Sequence, residues 1–160
     1  MIVPKWWQGL GSATSILLAV ILTFLLISCV AALGREVEPV EHRWRVMRVV
    51  DGDTIQFEAP WVPDPIAKRI SVRVYGVDTP EKGHRAQCPQ EALRGQQATD
   101  YTRSAIASAK DITVMLRDWD KYGGRVLGDI MVDGRSLRSM LIAEGLAREY
   151  FGDAKTSWCG

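Results

Sequence analysis

Charge of one sign is what this sequence most lacks. Its 20 Lys and Arg stand against 19 Asp and Glu, a net charge of +1 at neutral pH. Setting aside residues 1–41, which hold Lys5, Arg35, Glu36, Glu38 and Glu41, leaves 18 basic against 16 acidic groups, which is no less bland. No bulk field advertises a nucleic-acid or membrane partner, so any anion binding must come from local clustering of charge. Cysteine is also scarce. Cys29, Cys88 and Cys159 have neither the neighbours of a zinc site nor a redox C-x-x-C spacing, which argues against a metal–thiolate role. Internal repeats and low-complexity tracts are absent as well. What remains, at 47% hydrophobic and 24% charged residues, is an ordinary globular composition. A chain of 160 residues has room for one domain and an appendage.

The appendage is at the N-terminus. Ile16 to Leu33, "ILLAVILTFLLISCVAAL", runs 18 residues without a charge, the lower limit for crossing a bilayer core as a helix. Lys5, Trp6 and Trp7 ahead of it form a weakly positive, aromatic flank suited to a cytoplasmic interface. Residues 1–34 are therefore expected to be an uncleaved single-pass anchor or a cleaved secretory signal. Cys29 in "LISC" also resembles a lipobox, which makes a lipoprotein the third alternative. All three place the rest of the chain in the membrane-tethered, secreted or periplasmic space. Residues 35–43, polar and proline-containing, are expected to be a linker. The folded part then holds an even pair, Cys88 and Cys159, and an even pair in a small exported domain is more often bridged than free.

Residues 44–160 alternate in character. Strands are expected at 44–50, 54–59, 68–77, 111–120 and 125–132. Of these, the third carries Ile70, Val72 and Val74 on one face and Arg69, Ser71, Arg73 and Tyr75 on the other. Residues 90–109 read as a helix weakened by Gly95, and Ser136 caps a second helix that stops at Gly145. The order β-β-β-α-β-β-α implies an α+β, mainly β fold: a five-stranded OB-type barrel with packed helices, preceded by the N-terminal hydrophobic helix.

Two acidic stretches carry the chemistry. "VVDGDTIQF" places Asp51 and Asp53 at a hairpin turn, and "GVDTPE" ends the third strand with Asp78, Thr79 and Glu81. If both belong to one small barrel, Asp53 and Asp78 approach each other at its rim. Converging carboxylates suit a hard divalent cation such as Ca²⁺ or Mg²⁺. Adding Arg73 and Glu81 supplies a guanidinium and a carboxylate base, the parts that phosphodiester hydrolysis needs.

"VVDGDTIQF", "VRVYGVDTPE", "DKYGGR" and "LIAEGLA" resemble, in order, the successive signatures of the staphylococcal nuclease (thermonuclease) family over residues 44–151. The resemblance implies Ca²⁺ as cofactor, with Asp53, Asp78 and the Thr79 backbone carbonyl as ligands and Asp51 close by. It implies Glu81 as general base, Arg73 and Arg125 as the phosphate-binding arginines, and Tyr122 as a stacking surface for a base or sugar; Tyr150, in the tail, is expected at the rim in reach of substrate. The implied activity is an endonuclease acting on DNA and RNA, single-stranded or frayed, with low sequence specificity and 3′-phosphate products, needing no protein partner. The rival class is a non-catalytic nucleic-acid or protein binding module on the same fold. Three features depart from the type enzyme: an extra glycine in "YGGR", a short loop "KGHRAQCPQ" after Glu81, and a tail without the further helix. A Cys88–Cys159 bridge would fasten that tail, closing a loop of roughly 70 residues worth about 4 kcal/mol in chain entropy. The metal site, built from the barrel, is expected to be independent of the tail.

Overall fold

Alternating apolar residues build the core before any helix joins it. Strands β2 (Val46–Asp51), β3 (Thr54–Glu58) and β4 (Arg69–Val74) form an antiparallel meander, with Ile55 and Phe57 opposite Val72 and Ile70. β6 (Ile112–Trp119) and β7 (Val126–Val132) pair antiparallel, and β7 lies parallel to β4. Ile55, Phe57, Val72, Val74, Val114 and Ile130 are buried at the centre. This computed structural model describes residues 40–121 and 123–159. The expected anchor or signal over 1–34, with its helix and Cys29, lies outside the described residues, as does most of the linker. Among the described residues no helix is long and apolar enough to cross a membrane.

The five-stranded barrel is corrected to an open, seven-stranded mixed sheet. Its path runs β1 (Glu41–His42), β6, β7, β4, β3, β2, with β8 (Arg135–Ser136) paired to β7. The two ends of that path are successive pieces of one chain. β1 pairs with β6 and β2 pairs with β3, and between them residues 43 and 44 leave the ladder, which resumes where the Arg45 carbonyl accepts from the Glu58 N–H at 2.9 Å. There Trp44 turns onto Phe57 and stacks between His42 and Trp61, while Arg43 and Arg45 reach outward to Asp111 and Glu58. A single short segment cannot bond both edges along its length, so the sheet ends without closing. Glu41 and His42, expected in the linker, thus belong to the sheet.

The third strand is also shorter than its pattern suggests. It ends at Val74, because Gly76 takes a left-handed φ of 77° and breaks the chain direction. Val77–Asp78 then forms β5, paired with β9 (Arg148–Glu149) in a separate two-stranded ribbon. Asp78 is therefore held against the C-terminal segment instead of ending a barrel strand.

Helix α1 (Pro89–Ser108) runs unbroken through Gly95. Its buried residues Gly95, Ala98, Thr99 and Thr102 recur at three- and four-residue spacing, giving a face of small side chains. On that face the Thr102 hydroxyl donates to the Gly52 carbonyl at 2.7 Å, and a Cβ at Gly52 would lie 2.7 Å from the Ala98 Cβ. The Asp51–Asp53 turn is thereby pressed onto the helix. α2 (Leu137–Ala143) is capped by Ser136, as its sequence predicts, and packs Leu137 and Leu141 into the core.

Candidate active site

The hairpin turn, the β5 ribbon and β4 bring Asp53, Asp78 and Arg73 together. Arg73 is the bridge. Its Nη2 lies 2.7 Å from Asp53 Oδ2 and 3.4 Å from Asp78 Oδ1, and Nη1 donates to Asp53 Oδ1 at 3.0 Å. Asp53 is almost completely buried, at 1% exposure, and also accepts from the Thr54 hydroxyl and, at 3.4 Å, from the Thr79 backbone N–H. Asp51, also buried, turns Oδ2 to Arg85 at 3.2 Å and, among the described residues, leaves Oδ1 without a hydrogen-bond partner.

Burial, chiefly, pushes the Asp53 carboxyl up to about 7; Arg73 pulls it down and the neighbouring Asp51 pushes it up again. Arg73 itself is lowered by burial but raised on balance, because it faces Asp53, Asp78, Asp51 and Asp120. Arg73, Arg85 and, from the tail, Lys155 balance Asp51, Asp53 and Asp78 in charge, so the site concentrates carboxylate oxygens without a net negative excess. The orphaned Asp51 oxygen is open to a further positive partner. This all-oxygen, acidic donor set fits a hard divalent cation held by Asp53 and Asp78, with Thr79 and Asp51 adjacent.

Glu81 sits beyond β5 on a loop that α1 supports from below. Its backbone N–H donates to Glu91 Oε1 at 3.2 Å, and Glu91 also accepts from the Gln87 N–H at 2.7 Å. The Glu81 carboxylate is partly exposed and pairs with Arg85 Nε at 3.2 Å. A cleft of about 490 Å³ opens here, lined by Arg73, Glu81, Arg125, Tyr150, Phe151 and Lys155 among others.

Arg125 reaches the same cleft despite the extra glycine. Gly123 and Gly124 both adopt φ of 68°, and the loop closes through Asp120 N–H to the Arg125 carbonyl, so the insertion is absorbed in the turn. The carboxylate that Arg125 pairs with is Asp120, at 2.7 Å, and not Asp53 or Asp78. Tyr150 lines the cleft, and Tyr122 lies outside the described residues.

Cys88 and Cys159 are joined in a disulfide. Their sulfurs and a Glu91 oxygen fall within 4.8 Å of one another, but sulfurs bonded to each other are not thiolate ligands. The tail, expected to leave the candidate metal ligands to the barrel, touches Asp78. Lys155 Nζ lies 2.6 Å from Asp78 Oδ1, and the Trp158 indole N–H donates to Asp78 Oδ2 at 3.2 Å. Sequence reasoning also missed Arg85 and Glu91. Glu91 was legible as the third residue after the Cys88 cap, whereas Arg85 carried no local signal, since it shares no helix with Glu81. Lys155 and Trp158 carried no local signal.

Residues 71–157, 87 of the 160, match the family model described as staphylococcal nuclease homologue. Among similar proteins, thermonuclease of Staphylococcus hyicus is 32% identical over 112 residues, covering 69% of this chain and 61% of that one. An uncharacterized endonuclease of Escherichia coli is 34% identical over 107 residues, 66% of this chain and 60% of that protein. Endonuclease YhcR of Bacillus subtilis is 32% identical over 117 residues, 69% of this chain but only 9% of that much longer protein. The chain thus spans at most about three-fifths of these relatives. With the match covering more than half of its length, this chain belongs to the staphylococcal nuclease family.

Proposed function

We propose that this chain is a divalent-cation-dependent endonuclease, with Ca²⁺ as its ion, that hydrolyses phosphodiester bonds of DNA and RNA with little sequence preference. The observation that carries the reading is the meeting of Arg73, Glu81 and Arg125 around one cleft, with the buried carboxylates Asp53 and Asp78 behind Arg73. A cation held by Asp53 and Asp78 would polarise the phosphoryl oxygen. Glu81 takes a proton from the attacking water, a role its partly exposed carboxylate at the cleft permits. Arg73 and Arg125 offer planar forks to the phosphate oxygens and stabilise the charge that develops on them. Arg73 exchanges carboxylate partners for phosphate ones as substrate enters. Water adds to phosphorus, the bond to the 5′ oxygen breaks, and a 3′-phosphate remains. Tyr150 and Phe151 at the cleft offer faces on which single-stranded or frayed bases stack.

Digestion of single-stranded DNA in Ca²⁺ and in excess chelator tests this reading. Cleavage in Ca²⁺ alone supports it, and intact substrate in both refutes catalysis. We further propose that the domain works outside the cytoplasm, tethered by or released from residues 1–34. The uncharged run Ile16–Leu33 supports this, as does a disulfide of the kind that persists in oxidising compartments. Cell fractionation tests it, and an intact-mass product found soluble in the cytoplasm would end it.

A further inference from the structure

Residues 150–159 fold back over the carboxylate side of the site. Trp158, 7% exposed, is the buried end of this segment, and its indole N–H donates to Asp78 Oδ2 at 3.2 Å. Arg148 covers the indole, its guanidinium carbon 3.8 Å from the ring centroid, and donates to Thr156 Oγ1 and the Ser157 carbonyl at 2.9 Å each. Arg148 is also the β9 residue paired with Asp78 in the ribbon. The next residue after Trp158 is Cys159, bonded to Cys88, the N-cap of α1. Trp158 is thus held by Arg148 on one side and by a covalent bond to the helix on the other, with its single donor aimed at a carboxylate.

We propose that Trp158 is a positioning residue for Asp78, kept in place by the Cys88–Cys159 bond, so that the site's affinity for a divalent cation depends on that disulfide. The proposal rests on the reading of Asp78 as a cation ligand. The indole N–H is neutral, so it fixes the direction of the carboxylate without cancelling the charge a cation seeks. It occupies Oδ2 and leaves Oδ1 turned toward Arg73, 3.4 Å away, and through it toward Asp53. Lys155 acts in the opposite sense, since its ammonium pairs with Oδ1 and competes with a cation. Its side chain is 46% exposed, however, whereas that of Asp78 is 9%, so the flexible ammonium can swing out to solvent when a cation enters while the buried indole stays. The buried indole contact therefore decides the sign. Two equivalents of a thiol reductant open the bond, leaving two protein thiols and the oxidised reductant. Cys159, and Trp158 with it, then loses its covalent tie to the N-cap of α1.

Calcium binding to the full chain, followed by calorimetry, tests this in wild type and in Trp158→Phe, each oxidised and reduced. Trp158→Phe keeps an aromatic ring beside Arg148 and removes the N–H donor together with the five-membered ring that carries it. Loss of a hydrogen bond to a charged group should weaken binding at least about tenfold. Reducing the wild type should weaken binding in the same direction. Reducing Trp158→Phe should add little, because both changes act through one contact; circular dichroism checks that the variant is folded. If the variant does not fold, the comparison of oxidised with reduced wild type decides the matter alone. Unchanged or tighter binding in the folded variant, or in reduced wild type, overturns the proposal. Oxidised wild type that binds no Ca²⁺ overturns the cation reading itself, and this proposal with it.

Discussion

Replacing Gly95 by alanine sets two effects of opposite sign against each other. Gly95 lies inside α1, where alanine is favoured over glycine by about 1 kcal/mol. Helix propensity alone therefore predicts a more stable protein. A Cβ there would lie 2.4 Å from the Glu81 carbonyl oxygen, 2.6 Å from its carbon and 2.7 Å from the Pro80 oxygen. These are backbone atoms, and no rotamer change relieves them. Restoring contact at about 3.4 Å requires the Glu81 backbone to retreat by about 1 Å, against a Glu91 carboxylate that holds its N–H. Overpacking of this kind costs about 1–3 kcal/mol, so the net change should be a loss of up to about 2 kcal/mol. The larger effect should fall on turnover, because moving a catalytic group by about 1 Å costs on the order of 10²-fold. Denaturant unfolding and cleavage of single-stranded DNA in saturating Ca²⁺ measure the two separately. A variant stabilised by about 1 kcal/mol with normal turnover would refute the close approach and the support it gives Glu81.

Asp53→Asn and Asp78→Asn should each raise the Ca²⁺ concentration needed for activity, since a hard cation prefers charged oxygens; unchanged requirements would remove both from the site. Asp53 also predicts a pH dependence. Its carboxyl stands near 7 in the fold against an ordinary 3.8, so the native state binds the extra proton and its contribution to stability falls as pH rises from about 4 to about 7. In chelator, Asp53→Asn should therefore gain on wild type across that window, and a constant difference between their unfolding midpoints would contradict it. In the core, Phe57→Ala should cost about 3–5 kcal/mol, because Phe57 is fully buried; a loss under 1 kcal/mol in urea unfolding would mean that the sheet is not the stability core.

Local signals carry far in this chain, and they stop where distant segments meet. The Asp51–Asp53 hairpin, the Ser136 cap and the alternation of Val72 and Val74 are legible because each depends on neighbours within a few residues. Gly76 is visible but silent, since a glycine reads as a break only once its left-handed φ is known. Gly95 reads as a weakness of the helix, whereas the loop carrying Glu81 needs its missing side chain. The open sheet escapes a local reading because the split of Glu41–Asp51 between β6 and β3 is set by partners about 70 and 10 residues away. Among the site residues, Asp53, Asp78, Arg73 and Glu81 come from their motifs. Lys155 and Trp158, about 80 residues from Asp78, have no periodicity that joins them to it; the β5–β9 ribbon and the pairing of Cys88 with Cys159 bring the tail near.

The central claim, that Glu81 acts as a base at a cleft backed by Arg73, Asp53 and Asp78, is tested most directly by Glu81→Gln. Glutamine preserves the size of the side chain and its reach toward Arg85 but cannot take a proton. Turnover of single-stranded DNA in saturating Ca²⁺ should fall by about 10²-fold or more, with the unfolding midpoint and Ca²⁺ affinity close to wild type. Near-normal turnover in the folded variant would contradict the account.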